Sequence, residues 1–120
     1  MKVPFTVKEL GADFVTVSGH KIHAPKGIGA IYVKNGLKVS PMIRGGGQES
    51  GLRSGTEATA QIAAFAAAAE LGRKNLQEDL ERMQAIKAYA REQLTGQIPG
   101  LVTIGEGEAP HILPISLPGI

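Results

Sequence analysis

Ser18, Gly19, His20 and Lys21 stand in a row, followed closely by Ala24-Pro25-Lys26-Gly27-Ile28-Gly29. The lysine lies between an apolar run, Phe14-Val15-Thr16-Val17, and a turn punctuated by glycine. Free lysine has a pKa of about 10.4, so amine chemistry near neutral pH requires burial or nearby positive charge. A lysine at the end of a buried strand can be desolvated enough to stay neutral and act as a nucleophile. Ser18 and His20 can donate hydrogen bonds to an anion. Lysine, hydroxyl, imidazole and close-approach glycines together suit a phosphate-bearing aldehyde held as a Schiff base. Pyridoxal 5'-phosphate (PLP) meets that description.

A second stretch, Arg44-Gly45-Gly46-Gly47-Gln48-Glu49-Ser50-Gly51-Leu52-Arg53-Ser54-Gly55-Thr56, ends in a threonine ahead of an alanine run. Backbone N–H groups at a helix start, with the positive end of the helix dipole, favour an anion. Thr56 is therefore a candidate anion contact. A plain N-cap is the alternative, and both can hold. Gly45, Gly46 and Gly47 permit backbone shapes closed to other residues. Arg44 and Arg53 are either anion contacts or solvated charges. His20 and His23 lack a third ligand and make a poor metal site, so no metal is expected.

The elements that must position these groups follow from pattern. Val7 to Leu10 reads as the end of a helix stopped by Gly11. Asp13 to Ser18 and Ile28 to Val33 read as strands, near-continuously apolar and so expected to be buried on both faces. Asn35-Gly36 signals a turn, and Val39 to Ile43 a short extended piece. Arg44 to Gly55 is loop, with five glycines in twelve residues. Ser54-Gly55-Thr56-Glu57 fits a capping box, opening a helix with Ile62, Phe65, Ala66 and Ala69 on one stripe. Gly72 marks a kink or break. Leu76, Leu80, Met83, Ile86 or Lys87, Ala90 and Leu94 then recur at threes and fours, predicting a surface helix with one buried stripe that ends at Gly96. Leu101 to Ile104 reads as a short strand. Ile112 to Leu117, with Pro114, reads as an edge strand.

Composition narrows the class. The chain has 120 residues, long enough for a core, and no cysteine, so neither a disulfide framework nor a thiolate metal site is available. No window approaches the ~18–20 apolar residues of a membrane span. The amino end has no basic-then-apolar secretory pattern, and a cytoplasmic setting is the default expectation. A net charge of +2 is too small to argue for nucleic acid. Residues 1–55 hold eight Lys/Arg against three Asp/Glu, and residues 56–120 five against eight. The basic half carries both motifs, as an anionic cofactor would favour.

The segment Ser18 to Tyr32 resembles the PLP-lysine segment of cysteine desulfurases, within the class V aminotransferase group. Arg44 to Thr56 resembles their second signature, a glycine-rich loop opening a helix. Two long motifs in the right order make the resemblance specific, and it runs through most of the chain. It implies an α/β chain with a partial PLP-dependent transferase fold of the aspartate aminotransferase kind. Residues 1–73 would be the end of the large PLP-binding domain. Residues 74–120 would be the linking helix and the start of a small α+β domain. It implies that Lys21 holds the cofactor, that Ser18 and His20 bind its phosphate, and that Thr56 reaches the phosphate of a partner subunit's PLP. Lys26 belongs to the Pro-Lys-Gly turn of the family pattern and reads as structural or as a surface charge. Ala24 stands where a glycine is common, which matters only if that position needs positive φ.

The implied parent is a homodimer that moves sulfur from L-cysteine to a protein cysteine, releases L-alanine, and serves iron–sulfur cluster or thio-cofactor assembly through a sulfur-acceptor or scaffold protein. Neither nucleic acid nor membrane is an expected partner. The family's sulfur-accepting cysteine and several cofactor contacts have no counterpart in this sequence. The isolated chain is therefore expected to be inactive, and its unpaired strand edges to favour self-association or partial disorder. The rival readings are a selenocysteine lyase or other class V aminotransferase, and a non-catalytic association or folding fragment.

Overall fold

The computed structural model describes residues 3–105, 107 and 109–119. They divide into two compact units, one of Phe5–Leu71 and one of residues 3 and 4 with the described residues from 72 onward.

In the first unit, α1 (Val7–Leu10) is a single helical turn with its own start. Thr6 and Glu9 form a reciprocal capping box, and Gly11 closes the turn at φ +59°, where a side chain would be strained. β1 (Phe14–Ser18) pairs antiparallel with β2 (Gly29–Val33), in a register running from Phe14 opposite Val33 to Ser18 opposite Gly29. The Lys34 amide extends the ladder by donating to the Asp13 carbonyl, and their side chains form an exposed ion pair at 3.1 Å.

The strands are not buried on both faces, as their apolar run predicts. Phe14, Ile31 and Tyr32 are exposed, while Val15, Val17 and Val33 are half-buried. Among the described residues the sheet has two strands. Two strands present four edges and faces to be covered, and apolar composition does not say what covers them.

α2 (Thr59–Lys74) begins later than the capping-box reading places it. Neither Ser54 nor Thr56 caps it. The Ala58 carbonyl accepts the first helical bond, from Ile62, so Thr56 stands three residues before the helix. Ala64, Phe65, Ala68 and Ala69 form its half-buried stripe, whereas Ile62 and Ala66 are exposed. Gly72 does not break the helix, because glycine costs a helix only about 1 kcal/mol and keeps its N–H donor. The interruption falls at Asn75, a residue type whose side chain competes with helical backbone.

In the second unit, α3 (Leu76–Gln97) keeps Gly96 inside its last turn. Its end is set by Pro99, which pushes Ile98 into an extended conformation, φ −113° and ψ 103°. β3 (Val102–Thr103) pairs antiparallel with β4 (Ile115–Ser116). The Ile104 amide bonds the Pro114 carbonyl, the one ladder group proline retains.

At the ambiguous position of the α3 stripe, Ile86 points outward at 58% exposure and Lys87 takes the inward place. The Lys87 ammonium donates to the carbonyls of Gly107 (2.8 Å) and Ala109 (3.0 Å), beside buried Pro110. Replacing it by methionine keeps the apolar stem and removes the donors. Lys87→Met is expected to destabilise this unit by about 1.5–3 kcal/mol, the range for hydrogen bonds involving a charged group. A urea midpoint that does not move would contradict that role.

Candidate functional site

The end of β1 leads directly into a 3₁₀ turn, Gly19–Ile22, that carries His20 and Lys21. Two close approaches hold this turn. The Gly19 amide donates to the Ile28 carbonyl at 2.9 Å, and a Cβ at Gly19 would lie 2.8 Å from that oxygen and from Ile28 Cγ2. A Cβ at Gly29 would lie 2.6 Å from the Val17 carbonyl oxygen. Neither position can carry a side chain without moving backbone. These glycines let one part of the chain approach another closely, beside buried Gly19 and Ala24.

His23 closes the turn at φ +69°, its amide donating to the Gly19 carbonyl. The left-handed residue is thus His23 and not Ala24. That explains how alanine is tolerated at 24, where it is buried and bonds the Gly19 carbonyl through its amide.

Ser18, His20 and Lys21 are all exposed. The desolvation expected of Lys21 is not provided, because β1 is uncovered. Ser18 does not cap the turn. The lysines that hydrogen-bond among the described residues are Lys34 and Lys87. Hydroxyl, imidazole and amine are close in sequence, and none of the three makes a side-chain hydrogen bond among the described residues. This donor set fits a phosphorylated aldehyde: the amine matches the aldehyde carbon, and the hydroxyl and imidazole match the phosphate oxygens. PLP would be held by Lys21, with Ser18 and His20 toward its phosphate.

The loop from Arg44 to Thr56 lies in the same compact unit. Among the described residues, no hydrogen bond joins it to Ser18–Lys21. Its three successive glycines do not adopt positive φ. Gly45 and Gly46 instead sit close to side chains, since added Cβ atoms would stand 3.2 Å from Ser54 Cβ and 2.8–2.9 Å from the Gln48 side-chain amide. Positive φ falls on Glu49 (+50°), Ser50 (+56°) and Gly51 (+79°), forming a short left-handed turn. Ser54 is buried at 7% exposure, and its amide donates to the Ile43 carbonyl. Arg53 Nη1 donates to the Ser54 carbonyl at 2.9 Å, which makes Arg53 a brace of the loop. Thr56 is exposed and, lying before α2, does not stand at the helix terminus on which its dipole argument depends.

Sequence reasoning missed Gln48 and Ser54, the two side chains that knit this loop. A small polar residue among glycines was a signal for Ser54. Gln48 gave none, since its partner is seven residues away. Among the described residues there is no group of three or more His, Cys, Asp or Glu able to hold a metal ion, and no helix is long and apolar enough to cross a membrane.

The family model described as Aminotransferase class-V matches residues 1–120. The chain is 40% identical over 107 residues to a cysteine desulfurase of Gluconacetobacter diazotrophicus, covering 89% of this chain and 27% of that protein. It is 37% identical over 112 residues to the cysteine desulfurase IscS of Clostridium botulinum, covering 93% of this chain and 28% of that one. The X-ray structure of a NifS-like protein from Rickettsia africae superposes with a TM-score of 0.89 at 32% identity, over 99% of this chain and 33% of that one. The chain thus spans between a quarter and a third of the length of these relatives.

Proposed function

This chain belongs to the class-V aminotransferase family, whose members depend on PLP, and we propose that it supplies part of a cysteine desulfurase that moves sulfur from L-cysteine to a protein cysteine, leaving L-alanine. Its fold is a partial α/β fold of the kind found in NifS-like PLP enzymes. The observation that carries the proposal is the uncommitted amine–hydroxyl–imidazole set of Lys21, Ser18 and His20, held by backbone contacts at Gly19 and Gly29, in a chain whose relatives are cysteine desulfurases.

When bound, PLP supplies an electron sink for cleavage at the substrate cysteine. The chain's own residues would divide the rest. Lys21 Nζ would hold the cofactor and carry a proton to and from the substrate's α-carbon. Ser18 Oγ and the His20 ring would donate to phosphate oxygens. Thr56, on the second loop, would bind a phosphate, in a homodimer that of the neighbouring copy. The proposed setting is cytoplasmic, the proposed acceptor a protein of iron–sulfur cluster or thio-cofactor assembly, and the two-stranded sheets with open edges are proposed to promote self-association.

As an isolated chain it is proposed to be inactive. It has no cysteine to receive sulfur, and Lys21 is solvated, so groups that must be held together for catalysis are not. The test is to incubate the chain with PLP and L-cysteine. Visible absorbance from captured cofactor is expected, with no catalytic release of alanine. Absence of the absorbance counts against the PLP assignment, and sustained alanine release against inactivity. Selenocysteine turned over in place of cysteine by a longer relative would favour the lyase reading.

A further inference from the structure

Across the neck of the 44–56 loop, the side chain of Gln48 joins two stretches of backbone. Its amide group lies over Gly46, 2.8–2.9 Å from where a Cβ would stand. Its Oε1 accepts the N–H of Gly55 at 3.2 Å. On the other side of the neck, the Ser54 amide donates to Ile43, and Ser54 Oγ stands 3.5 Å from the Gly46 carbonyl. Between these ties the chain makes its left-handed turn at Glu49–Gly51. Gly55, at φ +123°, is the next residue after the tie, and Thr56 follows it. The unbraced backbone of so glycine-rich a loop would sample many conformations.

We infer that Gln48 is the positioning residue of the loop's anion-binding end: by holding the Gly55 amide it fixes where Thr56 stands, and it withdraws the Gly55 N–H from the donors open to a phosphate. The inference rests on reading Thr56 as a phosphate contact. It explains why Gly46 is glycine without positive φ: the space of its missing Cβ is filled by the Gln48 amide. Gly46 and Gln48 are therefore coupled. A Cβ at 46 dislodges the Gln48 side chain, whose atoms are the three nearest it would meet.

The experiment is amide hydrogen exchange and phosphate titration, followed by NMR on the full 120-residue chain. In Gln48→Ala, the Gly55 amide is expected to exchange about fivefold faster, as loss of one neutral hydrogen bond implies. Gln48→Glu keeps an acceptor oxygen and is expected to restore protection. Gly46→Ala alone is expected to match Gln48→Ala, and the double variant to add nothing to either. Unchanged amides in α2 report that each variant is folded. Gly55 exchange indifferent to residue 48, or effects that multiply in the double variant, would overturn the positioning role. With inorganic phosphate, the Thr56 amide is expected to shift saturably and the Gly55 amide not, with affinity about fivefold weaker in Gln48→Ala. A saturable shift at Gly55, or none at Thr56, would overturn the anion-binding half. Both arms are independent of PLP capture at Lys21, so failure here and failure of the proposed function are read separately.

Discussion

After exposure to PLP and reduction with borohydride, the chain is expected to carry the cofactor mainly on residue 21, and Lys21→Ala is expected to lose that label. The chain has other exposed lysines, Lys26 and Lys38 among them, and any free amine reacts with an aldehyde to some degree. What distinguishes Lys21 is not burial, since it is exposed. It is the proposed help of Ser18, at the end of β1, and His20, on the turn that follows, which would hold the phosphate while the amine meets the aldehyde. Holding one end of a reagent raises the effective concentration of the other, and a preference of about tenfold over Lys26 is a modest demand on that effect. Peptide mapping of the reduced adduct decides the matter. Lys26→Ala should leave the label on residue 21 unchanged. Equal labelling of residues 21 and 26 would remove the case for a PLP lysine.

The second large effect is expected from Gly29→Ala. Its Cβ would be placed 2.6 Å from the Val17 carbonyl oxygen, an atom of backbone paired in the β1–β2 ladder. A side chain in the way can rotate, but a ladder carbonyl moves only if the strands part. Overpacking costs 1–3 kcal/mol in general, and the upper end, about 3 kcal/mol, applies where nothing can yield. Few buried residues stand behind this hairpin to absorb such a loss. Opening it also separates the Gly19 amide from the Ile28 carbonyl, so the turn bearing Lys21 loses its anchor. The expected observations are a collapsed urea midpoint, fast exchange at the Gly19 amide, and weaker cofactor labelling of residue 21. Gly47→Ala is the control, because a Cβ there meets nothing within 4 Å and the residue lacks positive φ. Its stability should change by less than about 0.5 kcal/mol. Equal effects of the two substitutions would show that glycine content, not close approach, is what matters.

Part of the fold was legible because its causes are neighbours in sequence. Gly11 stops α1, and Asn35-Gly36 turns the chain after β2, with Gly36 at φ +89°. The strand at 14–18 and the Pro114 edge pairing are written in local composition. Misplaced boundaries have local causes too, weighed wrongly. Gly96 looked like the end of α3, but Pro99 acts through Ile98 and a glycine keeps its hydrogen bond. The supposed capping box opening at Ser54 failed because Ser54 is committed to the loop neck.

The sequence by itself determined the family and the order of the main helices and strands, and it supplied the groups proposed to meet a phosphorylated aldehyde, since residue types in fixed spacing survive any arrangement of the chain. Tertiary structure alone decided the surroundings of those groups. Lys21 is solvated, Lys87 and not Ile86 faces the 107–109 loop, and the glycines at 45 and 46 yield space to Ser54 and Gln48. Burial and close contact depend on which distant segments arrive beside a residue, and an apolar or glycine-rich pattern records that something must fit there without recording what.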